Sequence, residues 1–519
     1  MAEEQRGRER VGGVEYEHVG GQYLEERALT RYAGTLLIWA LGVGYVISGE
    51  YFAWNFGLDA GGFGGLLIAG VLMAAMYIAM ILCISEMATS LPHTGGPYAF
   101  GRRALGPWGG FATGLGAVIE YVLATAGISV AIGLYIIALP PFEDLGNIGP
   151  LQPVEWISIL AYVVFLAINF LGIRETLWSV FAVTIVSVAM LVIWGLAVLV
   201  SGWSPSGWTD IAPDEGRWGA STFLPLGIAG ILAALPYGIW FYLAIEGTPL
   251  ASEEARDPER DLPRGTILAM FSLVVLSAIA FFVGSGTSAE GLRTAGNPLP
   301  EAWRIVSGED WFFWVITVVG LTGLIASFHS IIFAYSRQIF ALSRAGYIPR
   351  ALSRTGRNRT PTLAIFIPGM LMWGVVIIYN RIDETAAIAN ITQISVFGAL
   401  IFYILSMIAF IVLRMREPNL ERAYRSPVGV PGAVVTGLLA AVALGSGFNY
   451  TTAAQWTILA TIGLILLGLL YFALVTRHRL VAEAPEEEFA VIERAEAELE
   501  SDLAHPERRE PAPGAPGTT

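Results

Sequence analysis

The chain contains two hydrophobic segments of membrane-spanning length, each of which carries helix-breaking residues near its middle. The first, GTLLIWALGVGYVISGEYFAWNF, begins at Gly34, and the second, PLGIAGILAALPYGIWFYLAIEG, begins at Pro225. Glycine and proline weaken a helix, and unwound backbone persists at membrane depth only where protein buries it or water in a cavity hydrates it. Two such interrupted spans at corresponding places in two halves of a chain predict that a solute-binding site lies between them.

Composition indicates that most of the remaining chain is also embedded in a membrane. Of the 519 residues, 55% are hydrophobic and only 14% are charged, which excludes an ordinary soluble domain and a disordered chain. Apolar stretches long enough to span a bilayer begin near residues 33, 63, 108, 155, 176, 221, 263, 311, 362, 384, 430 and 456. We therefore predict an all-α membrane protein with about 12 transmembrane helices.

The arginines predict the orientation of these spans. If the N-terminus is in the cytoplasm, the loops on that side carry most of the arginines that lie between spans. The loops on the other side keep only Arg217, Arg293, Arg304 and Arg381. This asymmetry follows the positive-inside rule, so we predict a multi-pass protein of the plasma (inner) membrane with both termini in the cytoplasm. Residues 1–32 and 477–519 are then cytoplasmic tails, and the acidic second tail is expected to be largely disordered.

The sequence lacks the motifs of metal and nucleotide chemistry. Cys83 is the only cysteine and lies within a span, so intramolecular disulfides and thiolate metal sites are excluded. There is no HExxH motif, no Cys/His cluster and no nucleotide-binding loop. We therefore expect no cofactor, no metal and no enzymatic activity, and we find no feature for nucleic-acid binding. The sequence leaves the oligomeric state open.

Four segments that follow individual spans carry a resemblance to a known group of transporters. They are LPHTGGPYAFGRRALGPWGGFATG from Leu91, IWFYLAIEGTPLASEEARDPERDLPRG from Ile239, AYSRQIFALSRAGYIPRALSRTGRNRTPTLAI from Ala334 and LRMREPNLERAYRSPVGVPG from Leu413. Their order and spacing resemble the amino acid–polyamine–organocation (APC) superfamily over residues 30–475, approximately. Two further stretches, GVGYVISGEYFAWNFGL from Gly42 and LIASFHSIIFAYSRQIFALSRAGYIP from Leu324, are similar to its ethanolamine permease branch.

The resemblance implies a LeuT-like fold. In such a fold two inverted repeats of five helices, here at about residues 33–201 and 221–413, are followed by two further helices at about 430–476. Residues 33–476 would together form the transporter domain. Helices 1 and 6 break in the middle of the membrane and hold the substrate, and rocking of a helical bundle against a scaffold alternates access between the two sides.

The break in the first span departs from the pattern of amino acid carriers in this superfamily. Those carriers have Gly-Ser-Gly and then an aliphatic residue, and exposed backbone N–H groups there bind the substrate carboxylate. Here the corresponding residues are Ile47, Ser48, Gly49 and Glu50. Ionised Glu50 would repel a carboxylate at a few ångströms by kilocalories per mole. This favours a cation without a carboxylate, although Glu50 could instead accept hydrogen bonds from unwound backbone or carry a proton.

Other ionisable residues within spans are candidates for the same site, because their burial in a membrane is costly. Glu120, beside Tyr121 in the third span, is a candidate ammonium partner or proton carrier, with a structural hydrogen bond as the alternative. His329 in the eighth span is either a proton carrier or a neutral hydrogen-bond partner between helices. Glu246 matches a common acidic position of the sixth span, for which a structural or gating role is expected.

Aromatic and small residues complete the predicted site. Trp240 in the sixth span falls where relatives cover the substrate with an aromatic side chain. An indole face contributes on the order of 1–2 kcal/mol to binding a desolvated ammonium. Phe241 lies beside Trp240, and Gly44, Ser48 and Gly49 are expected to present backbone groups to the hydroxyl end of the substrate.

These observations predict a secondary transporter that imports protonated ethanolamine together with a proton. The nearest alternative is an amino acid or polyamine carrier of the same superfamily, working as a symporter or an exchanger. A remoter alternative is a transporter-like membrane sensor. Sodium coupling stays open, since Ser327 and Ser330 supply hydroxyls of the kind that help bind sodium in some relatives of the fold. The expected partners are a small amine and the lipid bilayer.

Overall fold

Helices dominate the structure, which confirms the predicted all-α fold. The computed structural model describes residues 9–487, apart from residues 12, 20, 140, 141, 143, 383–386, 448–451 and 486. Ten of the helices described there are long and apolar enough to cross a membrane. Two shorter apolar helical stretches, Thr35–Tyr51 and Thr362–Ile378, complete the predicted number of spans.

The elements are numbered in chain order. The helices are α1 (Gly21–Glu25), α2 (Thr35–Val46), α3 (Ser48–Tyr51), α4 (Phe56–Ser90), α5 (Pro97–Ile137), α6 (Pro153–Leu171), α7 (Ile173–Ser201), α8 (Gly227–Trp240), α9 (Pro258–Ala278), α10 (Ala289–Leu292), α11 (Pro298–Ser307), α12 (Trp311–Arg344), α13 (Thr362–Ile382), α14 (Ala387–Arg416), α15 (Gly429–Ser446) and α16 (Thr452–Tyr471). Segments of 3-10 helix are Pro205–Thr209, Ile245–Glu254 and Arg350–Ser353, and π-helical turns are Ile279–Val283 and Phe472–Thr476. The strands are β1 (Glu9–Val11), β2 (Val14–Glu17) and β3 (Leu480–Val481).

Several spans begin where the sequence supplies a proline or a capping side chain. Pro97 and Pro153 stand in the first turns of α5 and α6, where the missing N–H leaves no helical hydrogen bond unmade. Asp310 caps α12, because its Oδ1 accepts hydrogen bonds from the N–H groups of Phe312 and Phe313, both at 2.9 Å. Local sequence signals therefore set the starts of these three spans.

The first span breaks as predicted, but the break begins after Gly42 and Gly44. α2 stays helical through Gly44 and ends at Val46, α3 follows as Ser48–Tyr51, and residues 52–55 form a turn before α4. Gly44 serves packing instead, because a Cβ there would lie 2.6 Å from the Ser330 hydroxyl of α12. Gly44, which is expected to present backbone groups to the substrate, lies inside α2, where its missing side chain admits a neighbouring helix.

The sixth span is also broken, one turn beyond its proline. Pro236 lies inside α8, which continues to Trp240. Residues 241–244 form a turn that ends at Ala244, with φ of 80°, and the span continues as the 3-10 segment Ile245–Glu254. A proline removes only its own N–H from the hydrogen-bond ladder, so it weakens the helix without fixing where the helix opens. Both predicted interruptions are present in the fold.

Gly62 divides the long helix α4 into parts of two different spans. Its backbone has φ of 68° and ψ of −177°, so the helix is kinked there. Residues 56–61 continue the first span beyond its break, and residues from 63 onward form the second span, where the apolar pattern of the sequence placed its start. Among the long spans that the structure describes, α5 is the most enclosed by protein and α16 the least. Side chains of α5 therefore reach the centre of the bundle.

Buried ion pairs connect two of the sequence segments that carry the resemblance, the second and the third. Arg337 of α12 donates to Glu254 at 2.7 Å, and both side chains are only 1% exposed. Arg344 donates to both carboxyl oxygens of Glu253, at 3.0 and 2.6 Å. We call these two contacts the gate pairs, because they hold the end of the sixth span against α12.

The first and fourth of those segments are joined in the same way. Glu86, which lies near the end of α4 just before the first segment, accepts from Arg414 at 2.6 Å and from Arg422 at 3.0 Å. Arg103 of α5 pairs with Glu417 at 2.7 Å. Charged residues within or beside the four segments are thus structural partners of one another.

A small sheet ties the two terminal segments together on one side of the bundle. β1 pairs antiparallel with β2, and β2 pairs parallel with β3, with Tyr16 opposite Leu480. We call this end, which carries Tyr16, Tyr98, Tyr347 and Leu480, the terminal face. Residues 477–485 and 487 are packed here, although the sequence placed them in a largely disordered tail; residues 488–519 lie outside the described part of the chain. The division into two inverted repeats stays a prediction.

Replacing Gly62 with alanine should destabilise the protein by about 1–3 kcal/mol. The backbone at Gly62 occupies a region that glycine alone adopts readily, and an added Cβ would collide with the ring of Pro225. Gly70→Ala in the same helix is the matched control, since nothing lies within 4 Å of a Cβ there; removing that glycine should stabilise by about 0.4–1 kcal/mol. Thermal unfolding in detergent measures both effects. Equal unfolding temperatures for the two variants would contradict the kink at Gly62.

Candidate substrate-binding site

The two broken spans meet directly at their breaks. A Cβ added at Gly49 of the first break would collide with the carbonyl oxygen of Trp240 at the second. Position 49 therefore requires glycine, because only a residue without a Cβ lets the backbone of the first break touch the backbone of the second. We call the place where Gly49, Glu50, Trp240 and Phe241 come together the break junction. The structure thus brings four of the predicted site residues into one buried region.

Aromatic side chains interlock the two breaks. The indole Nε1–H of Trp240 donates to the carbonyl oxygen of Phe52 at 3.0 Å, and the two rings meet edge to face at 6.3 Å. Trp54 stacks on Phe241, with ring centroids 6.0 Å apart. Each break therefore supplies an aromatic ring and a hydrogen-bond partner to the other, which satisfies part of the unwound backbone.

Each break also contains an alanine in a left-handed backbone conformation. Of the three non-glycine residues with positive φ in the described chain, Ala53 (φ 71°) lies in the first break and Ala244 (φ 80°) in the second. This conformation costs a residue with a Cβ roughly 1–2 kcal/mol. Such strain persists only where surrounding contacts impose it, and it clusters at functional sites.

Glu50 lies in the break junction with its carboxyl group unengaged. The side chain is 0% exposed, and neither carboxyl oxygen has a hydrogen-bond partner among the residues that the structure describes. Its main chain is held, because its carbonyl accepts the Nε1–H of Trp54 at 3.1 Å. A buried carboxyl group without a partner is unfavourable. The geometry therefore suits a group that receives its partner, a proton or a cation, from outside the chain.

The other two acidic candidates form a second polar centre, the carboxylate pair Glu120–Glu246. Both side chains are buried. Tyr403 of α14 bridges them, with its hydroxyl 3.0 Å from Glu120 Oε1 and 3.0 Å from Glu246 Oε2. Tyr121 donates to Glu246 Oε1 at 3.2 Å. Glu246 thus lies beside Glu120 rather than apart from it.

The number of protons available around Tyr403 indicates how the carboxylate pair is protonated. The Tyr403 hydroxyl has one proton to donate, yet it contacts two carboxyl groups and the Tyr77 hydroxyl, the last at 2.9 Å. It can donate to one carboxylate only, so a hydrogen bond to the second requires that the second carboxyl group carries a proton. Two adjacent carboxyl groups share one proton for the same reason elsewhere, since like charges this close do not both ionise. The pair can therefore store one proton.

Tyr77 connects the carboxylate pair to the break junction. Its hydroxyl contacts Tyr403, and its ring lies 5.5 Å from the ring of Tyr242, which follows Phe241 in the second break. The Tyr242 hydroxyl in turn contacts Ser277 of α9 at 2.9 Å. A change at one centre can thus reach the other through two adjacent aromatic side chains.

The serine and glycine candidates face α12. The N–H of Ser48 donates to the Ser327 hydroxyl at 2.8 Å, and the Ser330 hydroxyl donates to the carbonyl of Ala326 at 2.7 Å. Gly44 packs against Ser330. Ser48 thus fixes the first break to α12, whereas Gly44 is one turn away from the junction.

His329 lies in a third place, between α6, α7 and α12. Its Nδ1 is 2.9 Å from the side-chain amide nitrogen of Asn169, and its Nε2 is 2.6 Å from the Ser179 hydroxyl. An amide nitrogen can only donate, so Nδ1 accepts and Nε2 carries the proton of a neutral imidazole. The structure does not bring His329 together with the break junction or the carboxylate pair.

Sequence reasoning missed four aromatic residues of these centres. Phe52, Trp54, Tyr77 and Tyr403 are all fully buried. A tyrosine or tryptophan inside a span needs a polar partner for its O–H or N–H, and that rule marks Tyr77, Tyr403 and Trp54 as candidates. It does not reveal which partner they contact, because Tyr403 is 283 positions from Glu120 in the chain.

Comparison with known proteins identifies the family of this chain. A family model described as amino acid permease matches residues 34–471, which includes both breaks and the carboxylate pair. The chain belongs to the amino acid permease family. The predicted membership of the APC superfamily is thereby confirmed, and the chain is a multi-pass membrane transporter.

Related transporters match most of this permease. An uncharacterized transporter of Rhizobium meliloti (strain 1021) is 30% identical over 449 residues, which cover 84% of this chain and 91% of that one. The branched-chain amino acid permease of Bacillus subtilis (strain 168) is 26% identical and covers 87% of this chain and 95% of its own length. The methylthioribose transporter of the same organism is 25% identical, over 78% of this chain and 85% of that one.

Replacing His329 with alanine should lower the free energy of unfolding by about 1–3 kcal/mol, because Asn169 and Ser179 lose a buried hydrogen-bond partner. The pH dependence of transport by the permease should stay unchanged. Asn169→Ala is the matched variant and should act in the same direction. Thermal unfolding and uptake across a range of pH values measure the two effects, and a displaced pH profile for His329→Ala alone would assign a proton-carrying role to the histidine.

Proposed function

We propose that this permease imports a small organic cation, ethanolamine, by symport with a proton. In this proposal it lies in the plasma (inner) membrane with both termini in the cytoplasm, and the broken spans rock against the other helices to alternate access. Family membership leaves the substrate open, because the relatives are named for branched-chain amino acids and for methylthioribose. The argument for the substrate therefore rests on the break junction.

The unengaged carboxyl group of Glu50 carries the proposal. An ammonium group beside it would supply a charge and hydrogen-bond donors, which offsets the penalty of burying a carboxylate. The carboxylate of an amino acid in the same place would meet a like charge in a region of low dielectric, which is unfavourable by kilocalories per mole. An amine without a carboxylate fits this junction better than an α-amino acid does.

The aromatic residues of both breaks support the same choice. Trp240 and Phe241 stand next to Glu50 in the junction and pack against Phe52 and Trp54. An aromatic face attracts a desolvated ammonium by up to about 2 kcal/mol. In the proposal, Trp240 covers the ammonium, and the backbone of Ser48 and Gly49 binds the hydroxyl end of ethanolamine.

The carboxylate pair Glu120–Glu246 is the proposed carrier of the coupling proton. While the terminal face is closed, the pair is buried, and one proton on the pair lets both carboxyl groups keep their hydrogen bonds to Tyr403. When the terminal face opens, water can hydrate both groups, so both ionise and the proton leaves on that side. Tyr77 and Tyr242 relate this event to the break junction. Glu50 then binds the ammonium, and His329 holds helices together.

Replacing Glu50 with glutamine should reduce accumulation of radiolabelled ethanolamine at least about tenfold, since the amide loses a charge-assisted hydrogen bond to the ammonium. Uptake is measured in proteoliposomes with and without an inward proton gradient, in the absence of sodium. Glu290→Gln is the matched control, because that side chain is 48% exposed and pairs with Arg293 outside the junction. The control should transport like the unchanged protein.

Competition identifies the substrate class in the same assay. Unlabelled ethanolamine should compete, whereas alanine and glutamate should not. Competition by an amino acid or a diamine, together with normal uptake by Glu50→Gln, would discard the proposed role of Glu50 and favour an amino acid or polyamine carrier. Binding of ethanolamine without counterflow would identify a sensor.

Replacing Glu120 with glutamine should separate ethanolamine movement from the proton gradient. Counterflow of ethanolamine should persist, whereas the gradient should no longer raise uptake, because the pair loses its exchangeable proton. Tyr403→Phe should weaken gradient-driven uptake about 2- to 10-fold, the effect of one hydrogen bond. Tyr162→Phe is the control, since its hydroxyl contacts Thr125 at 3.0 Å and no carboxyl group. Full gradient dependence in both Glu120→Gln and Tyr403→Phe would overturn the role of the pair.

A further inference from the structure

The carboxyl group of Glu487 lies in a polar pocket on the terminal face. Its Oε2 accepts from Tyr16 at 2.7 Å and from Arg102 Nε at 2.6 Å. Its Oε1 accepts from Tyr98 at 2.7 Å and from Tyr347 at 3.0 Å. The Glu487 side chain is 0% exposed and that of Arg102 is 5% exposed. We call the set Tyr16, Tyr98, Arg102 and Tyr347 the tail pocket.

The composition of the tail pocket suits a carboxylate. An arginine and three hydroxyl groups supply only donors to the bound group, and charge-assisted hydrogen bonds to a carboxylate are stronger than neutral ones. Burial, and then the negative charge of Glu487, raise the pKa of Tyr347 and of Tyr16 above the usual tyrosine value. Both hydroxyl groups therefore keep their protons at physiological pH and remain donors. The pocket residues come from β2, from α5 and from the turn after α12, and the carboxylate comes from a fourth segment that is distant from these in sequence.

Backbone contacts dock the rest of the carboxy-terminal segment beside the pocket. β3 pairs in parallel with β2, the N–H of Val481 donates to the carbonyl of Ala345 at 3.0 Å, and the N–H of Ala482 donates to the carbonyl of Glu17 at 3.2 Å. Leu480 and Val481 are fully buried. The segment thus adds a short strand to the sheet, and Glu487, six residues after that strand, enters the pocket.

The amino-terminal segment links the tail pocket to the gate pairs. From β2 the chain runs over the end of α12, where the Tyr23 hydroxyl donates to the carbonyl of Arg344 at 2.8 Å. It then reaches the start of the first span, where the N–H of Ala33 donates to the carbonyl of Glu254 at 2.8 Å. Arg344 and Glu254 both belong to the gate pairs. A strand fixed at Tyr16 therefore restrains the first span at the closed end of the bundle.

We propose that the tail pocket is a binding site for a carboxylate of the chain's own carboxy-terminal segment, Glu487, and that its occupation keeps the terminal face closed. Release of Glu487 removes the hydrogen bonds through which this carboxyl group joins Tyr16 of β2 to Tyr98 and Arg102 of α5. The amino-terminal segment can then move with the first span when the gate pairs separate. This inference concerns the opening of the terminal face and does not depend on which substrate the permease carries.

The test follows the opening of the terminal face in the full-length chain by cysteine labelling. The only native cysteine, Cys83, is buried and is replaced by serine. The reporter is Ser252→Cys, a near-isosteric change at a fully buried position beside the gate pairs. Detergent-solubilised protein is treated with a water-soluble maleimide, and the labelling rate reports how often water reaches the gate.

Glu487→Gln and Arg102→Gln should each speed labelling about fivefold or more, the usual range for coupled sites. The double variant should be no faster than either single one, because both remove the same contact. Tyr347→Phe, which removes one hydroxyl only, should give a smaller increase. Arg103→Gln is the matched control: it is the neighbouring arginine, it pairs with Glu417 at 2.7 Å, and its labelling rate should stay unchanged.

A synthetic peptide of residues 478–492 tests the pocket as a binding site. Added in excess to the Glu487→Gln chain, the native peptide should slow labelling again, whereas the same peptide with glutamine at position 487 should not. Labelling rates of Glu487→Gln and Tyr347→Phe equal to that of the unchanged chain would overturn the link to the gate. Equal rates with both peptides would overturn the assignment of the tail pocket as a carboxylate site.

Discussion

Unwound backbone inside a membrane has to find its hydrogen-bond partners within the protein, and this structure is organised around two such stretches. Gly49 lets the first lie directly against the carbonyl of Trp240, while Phe52 accepts the indole N–H of Trp240 in return. Ser327 of α12 accepts the N–H of Ser48. The remaining helices enclose this junction, because exposure to lipid would leave its backbone groups unsatisfied. Binding chemistry can be placed here since the interruptions already require a polar, lipid-free interior.

Glutamate side chains have three different environments in this interior, and the neighbours of each one determine what it can do. Glu50 has no hydrogen-bond partner in the described chain and can receive a cation. Glu120 and Glu246 share one tyrosine, Tyr403, and are the proposed carriers of a proton. Glu254 is paired with Arg337 and serves closure. A carboxyl group in a membrane span is thus specified by its partner rather than by its position along the helix.

Sequence reasoning predicted the spans and both interruptions, because hydrophobic length and helix breakers are local signals. It could not predict where the helices open, since Gly44 stays inside α2 and contacts Ser330 there. It could not predict that Tyr403 bridges Glu120 and Glu246, which no local pattern encodes. Composition also predicted a largely disordered tail over residues 477–519. Composition reflects the apolar area available for burial, and it cannot reveal a pocket that binds a single carboxylate, that of Glu487.

The gate pair Arg337–Glu254 has a thermal consequence. Both side chains are 1% exposed, so the closed end contains charges that have lost their hydration. Breaking such a pair inside protein is strongly unfavourable, but hydrating both partners together restores much of what burial removed. The hydration of charged groups becomes less favourable as temperature rises. A contact between buried charges therefore strengthens on warming, whereas one made only of apolar groups gains little. In the proposed alternating-access cycle, heat then favours the state in which Arg337 and Glu254 are paired.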